Sequence, residues 1–385
     1  MIVATGAGYD ICIMNSAGTV LKWIPDFMAL QYVRTVNDVG YISLTLDNET
    51  AVGVVGLDYR IAVWRRIPGV ATFAYIDTKT IFFMRRWTKT QSVTIIEGFS
   101  ATYLLGNQIG NTGRILAYDA DSAFATYSGA ADDVLKQIVR DNYTAIDASR
   151  DIGTGTSGVD LSAYLTVASN RAEAPSIDKA ASRRNVLRTL QEICDTSAQL
   201  GTPLYFDIET DPGQGSLKFV TTITCRSTDR STGTGDGSVV FDPDDGGVTD
   251  LSITFDYENA ASAAVAAGLG KETDRLVGTS TDSSRINMSA FAYREVFRNA
   301  AFMDADSQDI VDDEAAAMLY EFRPRVSLTG SIIGNESLVY GRDWKFGDKV
   351  SVNAFGAIYD AHIATVAVSV ENNEEGIQVR IRVDS

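Results

Sequence analysis

Histidine is almost missing from this chain of 385 residues, which has only His362. Any Ser-His-Asp arrangement or Cys-His dyad would have to use that one imidazole, and zinc sites normally draw on several His or Cys ligands. No nucleophile elbow accompanies it. Its place between Asp360 and Ile363 in an alternating stretch reads as a strand histidine, at the surface or half buried. Cysteine is scarce too. Cys12, Cys194 and Cys225 are odd in number, far apart and set in apolar patterns, which favours reduced core thiols over a disulfide framework. No apolar run approaches the roughly eighteen residues of a membrane span. The start, M-I-V-A-T-G-A-G-Y-D, has neither the basic opening nor the apolar core of a secretory signal.

Basic residues are outnumbered, with 33 Lys and Arg against 50 Asp and Glu, a net charge of −17. Such a surface repels phosphate, so stable wrapping of DNA or RNA is not expected. Fifty acids also create accidental carboxylate pairs, and nothing specific supports glycosidase chemistry among them. The remaining composition, 45% apolar and 22% charged, is that of ordinary globular protein. The length suits two to four domains, each with its own core.

Short alternating segments dominate both ends. From Val3 to about Gly106, six or seven of them follow one another between polar or Gly/Pro breaks, a sandwich or barrel pattern. In Val36 to Leu46 the residues Ile42, Leu44 and Leu46 alternate with Tyr41, Ser43 and Thr45. The last sixty residues read the same way, from Y-G-R-D-W-K-F-G-D-K-V-S-V at Tyr340 to Val352 through the strands that follow. We therefore expect a mainly β chain with two related antiparallel β-barrels and inserted α+β domains. The expected boundaries are 1–105 for the first barrel, 106–205 for an α+β insert, and 206–385 for the second barrel with a peripheral insertion around 260–322.

Within the insert, Ala130 to Asn142 sets Val134, Leu135, Ile138 and Val139 on one helical face, with Asp132 and Asp133 in the first turn where the macrodipole favours carboxylates. Arg183 to Ser197 carries a single stripe of Val186, Leu187, Leu190, Ile193 and Cys194 and ends at Gly201 and Pro203. A short helix, E-A-A-A-M-L-Y-E-F, should follow the acidic run D-A-D-S-Q-D-I-V-D-D-E and stop before Pro324. The Ala-rich stretch at 259–270 is helical by propensity.

Several motifs tempt and fail. G-L-G-K-E-T at Gly268 to Thr273 would need Gly where Val265 stands and Ser or Thr where Glu272 stands to be a phosphate-binding loop. F-D-P-D-D-G-G at Phe241 to Gly247 lacks the bidentate Glu of a calcium loop, having Ile253 there. D-A-D-S-Q-D at Asp304 to Asp309 has Asp309 where the glycine belongs. The glycines near Gly153, in D-I-G-T-G-T-S-G-V-D, read as a flexible loop. No catalytic, cofactor or metal residues are expected.

Four stretches taken in order resemble a siphophage minor tail protein family related to baseplate hub proteins. They are Val20 to Leu46, Gly129 to Asn142, Asn185 to Ile193, and the closing F-G-D-K-V-S-V. Trp23, Pro25, Asn37, Gly40, Asp132, Asp133, Leu190, Gly347 and Asp348 stand out within them as structural signature positions. The resemblance implies a tail-hub fold at the virion tail tip or baseplate. It implies a homotrimeric ring beneath the tail tube, two related barrels per chain so that three chains meet a sixfold tube, and DNA passing through. It also implies an extended strand, not a helix, at 259–270. Implied partners are further copies of the chain, distal tail or tail tube proteins, a tape measure protein, and tail tip or receptor-binding proteins. Many relatives continue into an enzymatic or receptor-binding extension, whereas this sequence stops at Ser385, so a bare hub is expected. The competing readings are a tail-associated cell-wall hydrolase and a peripheral carbohydrate-binding adhesin, the latter favoured by 16 Tyr, 16 Phe and 4 Trp, which also suit cores and interfaces.

Overall fold

The computed structural model describes residues 8–67, 75–106, 114, 125–146, 160–181, 184–210, 216–232, 237–245, 248–270, 274–299, 307–332, 338–372 and 374–383. The N-terminal part is all strand: β1 (Tyr9–Met14), β2 (Val20–Ile24), β3 (Ala29–Thr35), β4 (Tyr41–Asp47), β5 (Arg60–Arg66), β6 (Tyr75–Ile76), β7 (Ile81–Lys89) and β8 (Val93–Ser100). A mixed region follows, with β9 (Ala125–Ala130), α1 (Ala131–Val139), β10 (Leu165–Val167), β11 (Ser176–Ala181), α2 (Val186–Gln199), β12 (Leu204–Thr210) and β13 (Leu217–Ile223). Next come β14 (Val240–Phe241), β15 (Val248–Asp256), β16 (Ala263–Ala267), β17 (Val277–Thr281), α3 (Ser283–Ile286), β18 (Glu295–Asn299) and α4 (Gln308–Glu321). The chain closes with β19 (Arg325–Ile332), β20 (Lys349–Ala354), β21 (Ala357–Glu371) and β22 (Glu374–Val383).

The protein is mainly β with α+β insertions, but the two separate barrels expected from the sequence do not form. Fourteen strands from both ends of the chain make one sheet, whose path runs β15-β19-β22-β21-β3-β4-β8-β7-β5-β1-β2, and among the described residues no sheet closes on itself. The reason lies in β21. One of its edges pairs with β22, while the other pairs with β20 over Ala357 to His362 and then with β3 over Thr365 to Glu371. The switch falls at Ala364, where the register with β22 shifts and the carbonyl accepts the Val36 N–H at 2.9 Å. A bulge bends a strand and re-aims its edge. Here it hands to β3 the edge that closure of the C-terminal strands on themselves would require.

The sheet's apolar residues then serve two cores. Ile11 and Ile13 of β1 join one cluster together with Leu30, Tyr32, Ile42 and Leu44, and with Val350, Val366, Val368 and Ile381 from the far end of the chain. Cys12 and Met14, on the opposite face, join a second cluster beneath α1 and α2 with Leu135, Leu187, Leu190 and Phe206. Burial on both faces explains why β1 is apolar at almost every position. β4 keeps the alternation read from the sequence, with Ile42, Leu44 and Leu46 buried and its other residues half exposed.

The helices lie near their expected positions with shifted ends. Helix α1 starts at Ala131 and runs into a π turn at Arg140–Thr144. Helix α2 begins at Val186, three residues after the expected start, because the Asn185 side chain accepts the Arg188 N–H at 3.4 Å and caps it. Helix α4 absorbs most of the acidic run that was expected to precede it, since Ser307 caps it against the Ile310 N–H. The Ala-rich stretch resolves as strand β16, between β17 and β18. Ala264 and Ala266 pack beneath Met318 and Leu319 of α4. At Gly278 of the neighbouring strand an added Cβ would lie 2.1 Å from the Val311 carbonyl oxygen. A helix lying this close on a sheet needs small side chains, so tertiary packing overrides alanine's helix propensity.

Candidate functional site

Of the positions singled out from the sequence, Asn37 and Gly40 lie at one joint of the large sheet and Gly347 and Asp348 at another, whereas Asp132 and Asp133 bond within the α+β segment, Leu190 lies in a core, and Trp23 and Pro25 belong to the edge strand β2 and its end. Asn37 occupies the β3–β4 turn at φ +56°, a left-handed conformation that asparagine tolerates. Its Nδ2 donates to the Leu204 carbonyl at 3.0 Å, and its Oδ1 accepts the Phe206 N–H at 2.8 Å. One side-chain amide thus pairs with the start of β12 as a strand backbone would. The Asn37 carbonyl accepts Gln191 Nε2 of α2 at 2.9 Å. Gly40 lets the turn close, because a Cβ there would lie 2.4 Å from the Val33 carbonyl oxygen, and its N–H donates to Ser100 Oγ at 2.7 Å. Asn37→Ala should cost about 1–3 kcal/mol by leaving two backbone groups of β12 unsatisfied. Chemical denaturation would read this, while amide protection in β3 and β4 stays unchanged.

Asp132 and Asp133 do more than complement the helix dipole. Asp133 accepts the backbone N–H groups of Arg171 and Ala172 at 2.9 and 3.1 Å, and Asp132 those of Glu173 and Ala174 at 3.1 and 3.2 Å. Lys136, itself buried, reaches both carboxylates at 2.9 and 3.0 Å. Leu190 is wholly buried in the second core. At the other joint, the fully buried Asp348 accepts the N–H groups of Lys345 and Thr228 and the Arg230 Nε at 2.8, 3.0 and 3.0 Å. Burial pushes its carboxyl up, against these donors. Gly347 precedes it at φ +79°, with the Arg226 side chain where a Cβ would go. Trp23 is half exposed on β2 and stands edge-on to Trp64 at 4.8 Å. Pro25 follows the last residue of that strand.

The densest polar joint contains no residue singled out from the sequence. Asp77, wholly buried at φ +63°, accepts Tyr32 Oη at 2.8 Å and Tyr340 Oη at 2.9 Å, and pairs with Arg34. Burial first, and the Asp77 charge second, push both phenols up. Arg34 lies 4.1 Å over the Phe346 ring and faces Asp207, which also pairs with Arg226 at 3.0 Å. Arg226 bonds Glu209, and Glu209 bonds Lys79 at 3.1 Å. A cavity of about 310 Å³ opens over the network. Beside it, Arg65 grips Glu375 with two bonds of 2.7 Å and donates to the Tyr340 carbonyl at 2.8 Å. Strands 310 residues apart in sequence are tied by that one guanidinium. Asp77→Asn should destabilise by about 3–5 kcal/mol, because the largely buried Arg34 loses its nearest carboxylate and keeps only Asp207 at 3.9 Å. Combining it with Arg34→Met should cost less than the sum of the two, measured as a double-mutant cycle.

The peripheral segment is joined through charge as well. Lys179 sits buried between Glu192 at 3.1 Å and Glu314 at 3.3 Å, and Arg298 holds Glu314 at 2.8 Å. Burial alone would lift the Glu314 carboxyl, but Lys179 and Arg298 hold it down to about 2. A depressed carboxyl stabilises the fold above its ordinary value of 4.5 and loses that contribution as pH falls toward 2. Acid should therefore release the α4 region first, read by hydrogen exchange, and Glu314→Gln should flatten the pH dependence between those limits.

Other sequence candidates are dispersed. His362 is buried, not exposed or half buried, in register with Lys349 and Arg382 and tilted 5.7 Å from the Tyr205 ring. The three cysteines are free and buried, and burial pushes their thiols up, Cys12 to about 11. Such thiols are poor nucleophiles. Among the described residues no three His, Cys, Asp or Glu side chains gather as a metal site, and no helix is long and apolar enough to cross a membrane. Leu269 and Gly270 of the motif at Gly268 to Thr273 lie in a bend after β16. Residues 271–273 of that motif, most of the glycine-rich segment near Gly153, and Asp304 lie outside the described residues. Pro243–Asp245 form one 3₁₀ turn.

The overall fold is shared with solved tail proteins. The 43 kDa tail protein of prophage MuSo2 from Shewanella oneidensis matches with a TM-score of 0.56 at 12% identity, over 97% of this chain and 98% of that one. The tail protein from Neisseria meningitidis MC58 matches at 0.56 and 11%, over 98% and 97%. Prophage tail protein gp18 from Listeria monocytogenes EGD-e matches at 0.50 and 11%, over 97% and 94%. The fold is therefore that of phage tail proteins. The chain belongs to the family described as Siphovirus ReqiPepy6 Gp37-like protein, whose model matches residues 10–382. No curated protein matches the chain.

Proposed function

We propose that this protein is a structural subunit of the tail baseplate, forming a homotrimeric ring at the distal end of the tail tube through which DNA leaves the particle. The observation that carries this is the open sheet, whose two unlike end strands take no further strand among the described residues. At one end β2 exposes Val20, Leu21 and Trp23 at 38, 42 and 41%, with Met28 beside them at 41%. At the other, β15 exposes Phe255 at 52%, followed by Tyr257 at 50%. Unpaired edges carrying large apolar side chains are what proteins cover. Two different edges on one subunit make a head-to-tail contact, and head-to-tail contacts that close generate rings.

In this reading the ring adapts a sixfold tube to a threefold tip. It contacts distal tail or tail tube proteins on one side and tail tip or receptor-binding proteins on the other, with the tape measure protein on the axis. The role is structural, not catalytic, which agrees with the scattering of His362 and the three buried thiols through the cores. The net charge of −17 suits a channel wall that is acidic or neutral, since Lys and Arg on the wall would retain DNA through counterion release. Only charges within about 8 Å of the lumen surface act on the polymer at physiological salt.

Native mass spectrometry should give a trimer of 41.6 kDa chains, and Leu21→Lys with Trp23→Lys should yield monomers with an unchanged circular dichroism spectrum. Electron microscopy of the particle should find the protein enclosing the tail axis. A peripheral appendage, or a monomer within the assembly, would falsify the reading.

A further inference from the structure

We propose that the cleft between α2, the end of α4 and the strands β19 and β22 binds an acidic polypeptide segment of a partner protein, through Arg323, Arg325, Arg380 and Arg382. Three adjoining cavities of about 230, 380 and 450 Å³ lie there and share Glu321 and Arg325 as walls. Ser327 stands opposite Arg382 in the β19–β22 register. Arg325, Arg380 and Arg382, at two-residue spacings from that pair, therefore share one face of the sheet. All three are exposed, while Ile381 and Val383 between and beyond them are buried.

Among the described residues, none of these four guanidinium groups lies within ion-pair distance of a carboxylate. Their hydrogen bonds go to neutral atoms. Arg382 donates to Tyr320 Oη at 3.1 Å, Arg325 to the Glu321 carbonyl at 3.1 Å, and Arg323 to the Tyr320 carbonyl at 2.8 Å. Arg323 is the telling member, because it is only 8% exposed and stacks 3.6 Å over the Tyr320 ring. A cation taken out of water without a counter-charge is costly, and an anion entering the cleft would relieve that cost.

The carboxylates nearby are committed elsewhere. Glu321 pairs with Arg298 at 2.5 Å, and Glu192 pairs with Lys179, Arg184 and Arg188. Asp256 accepts the Glu258 N–H and Asp38 the Val39 N–H. Among the described residues, Asp195 of α2 alone of the cleft's carboxylates has no such bond. Burial pushes its carboxyl up to about 6, with Glu321 and Glu192 adding to that and Arg382 and Arg325 opposing it. A chain with a net charge of −17 that clusters four uncommitted arginines in one cleft has a site complementary to carboxylates, which guanidinium forks bind with two parallel hydrogen bonds. Cavities of this size admit side chains but not a duplex. Asp38, Asp195 and Asp256 along the walls disfavour a continuous phosphate backbone.

The test is calorimetric titration of the full-length protein with a hexaglutamate peptide. Inorganic phosphate and a single-stranded oligothymidylate serve as rival probes. Hexaglutamate should bind, with affinity that falls as salt rises and drops at least tenfold in Arg380→Gln/Arg382→Gln. Arg171→Gln, an exposed arginine elsewhere, should leave it unchanged. Binding should tighten as pH is lowered from 7.5 to 5.5, as Asp195 loses its charge, and Asp195→Asn should remove that dependence. The double variant keeps its fold if its circular dichroism is unchanged, and Arg325→Gln offers a second, single-site reading. Four results would each overturn the proposal: no hexaglutamate binding; binding indifferent to both arginine variants; tighter binding of phosphate or oligothymidylate at the same arginines; or a variant that shifts oligomeric mass while peptide affinity stays the same.

Discussion

Everything else in this molecule depends on the pairing of β21 with β3. Seven residues of β21 lie in antiparallel register with seven from the third strand, Thr365 opposite Thr35 and Glu371 opposite Ala29. That ladder turns two sets of strands separated by hundreds of residues into one sheet with one principal core. Contacts of such sequence separation cost loop-closure entropy before they return any stabilisation. The intervening segments must therefore be folded or held aside while the ladder forms. The buried bridges from Arg65 to Glu375 and from Asp77 to Tyr340 lie across the same union, and they specify which strands meet as much as how tightly.

The joints share a design in which a backbone-like side chain or a buried charge meets a partner far away in sequence. Asn37 offers an amide to β12, Asp132 and Asp133 collect four N–H groups, and Asp348 collects two N–H groups and an arginine. Apolar contact alone tolerates sliding, because it is non-directional. Directional bonds to fixed backbone groups do not. A subunit whose neighbours must meet it at defined angles gains from joints of the second kind, even where an apolar substitute would stabilise as well.

How much of this could be read from the residues depended on how local the cause was. The burial alternation of β4, the apolar faces of α1 and α2, and the end of α4 before Pro324 all follow from periodicity and turn chemistry within a few residues. The extended state of β16 followed from resemblance and not from its alanines, whose local preference is helical. The joining of the strands into one sheet was not legible. Alternation reports which face of a strand is buried but not which strand takes its edge, and the edge was decided by a one-residue register shift at Ala364. The Asp77 joint was hidden for the same reason. Its partners stand 45 residues away in Tyr32 and 263 residues away in Tyr340, and nothing in the run I-D-T-K-T marks the aspartate as buried. Asn37 and Gly40 were legible as positions, and only the fold supplies their reason.

Charge is distributed by function within the chain rather than spread evenly. Acid dominates the total, yet arginines supply most of the cationic partners in the buried joints: Arg34, Arg65, Arg226, Arg230 and Arg298 each hold a carboxylate. Lysine is the exception at Lys136 and Lys179, where a compact ammonium sits among several carboxylate oxygens. The division follows from shape. A planar guanidinium can satisfy two acceptors and still stack on a ring, as Arg34 does on Phe346, so it suits a joint between two surfaces. A lysine suits a pocket. Among the described residues other arginines also lack a carboxylate, since Arg140, Arg275 and Arg294 bond carbonyl or amide oxygens, but those of β19 and β22 line one cavity together with Arg323. That clustering, and not the mere presence of positive charge, is what supports the proposal that their cleft receives a segment from outside the subunit.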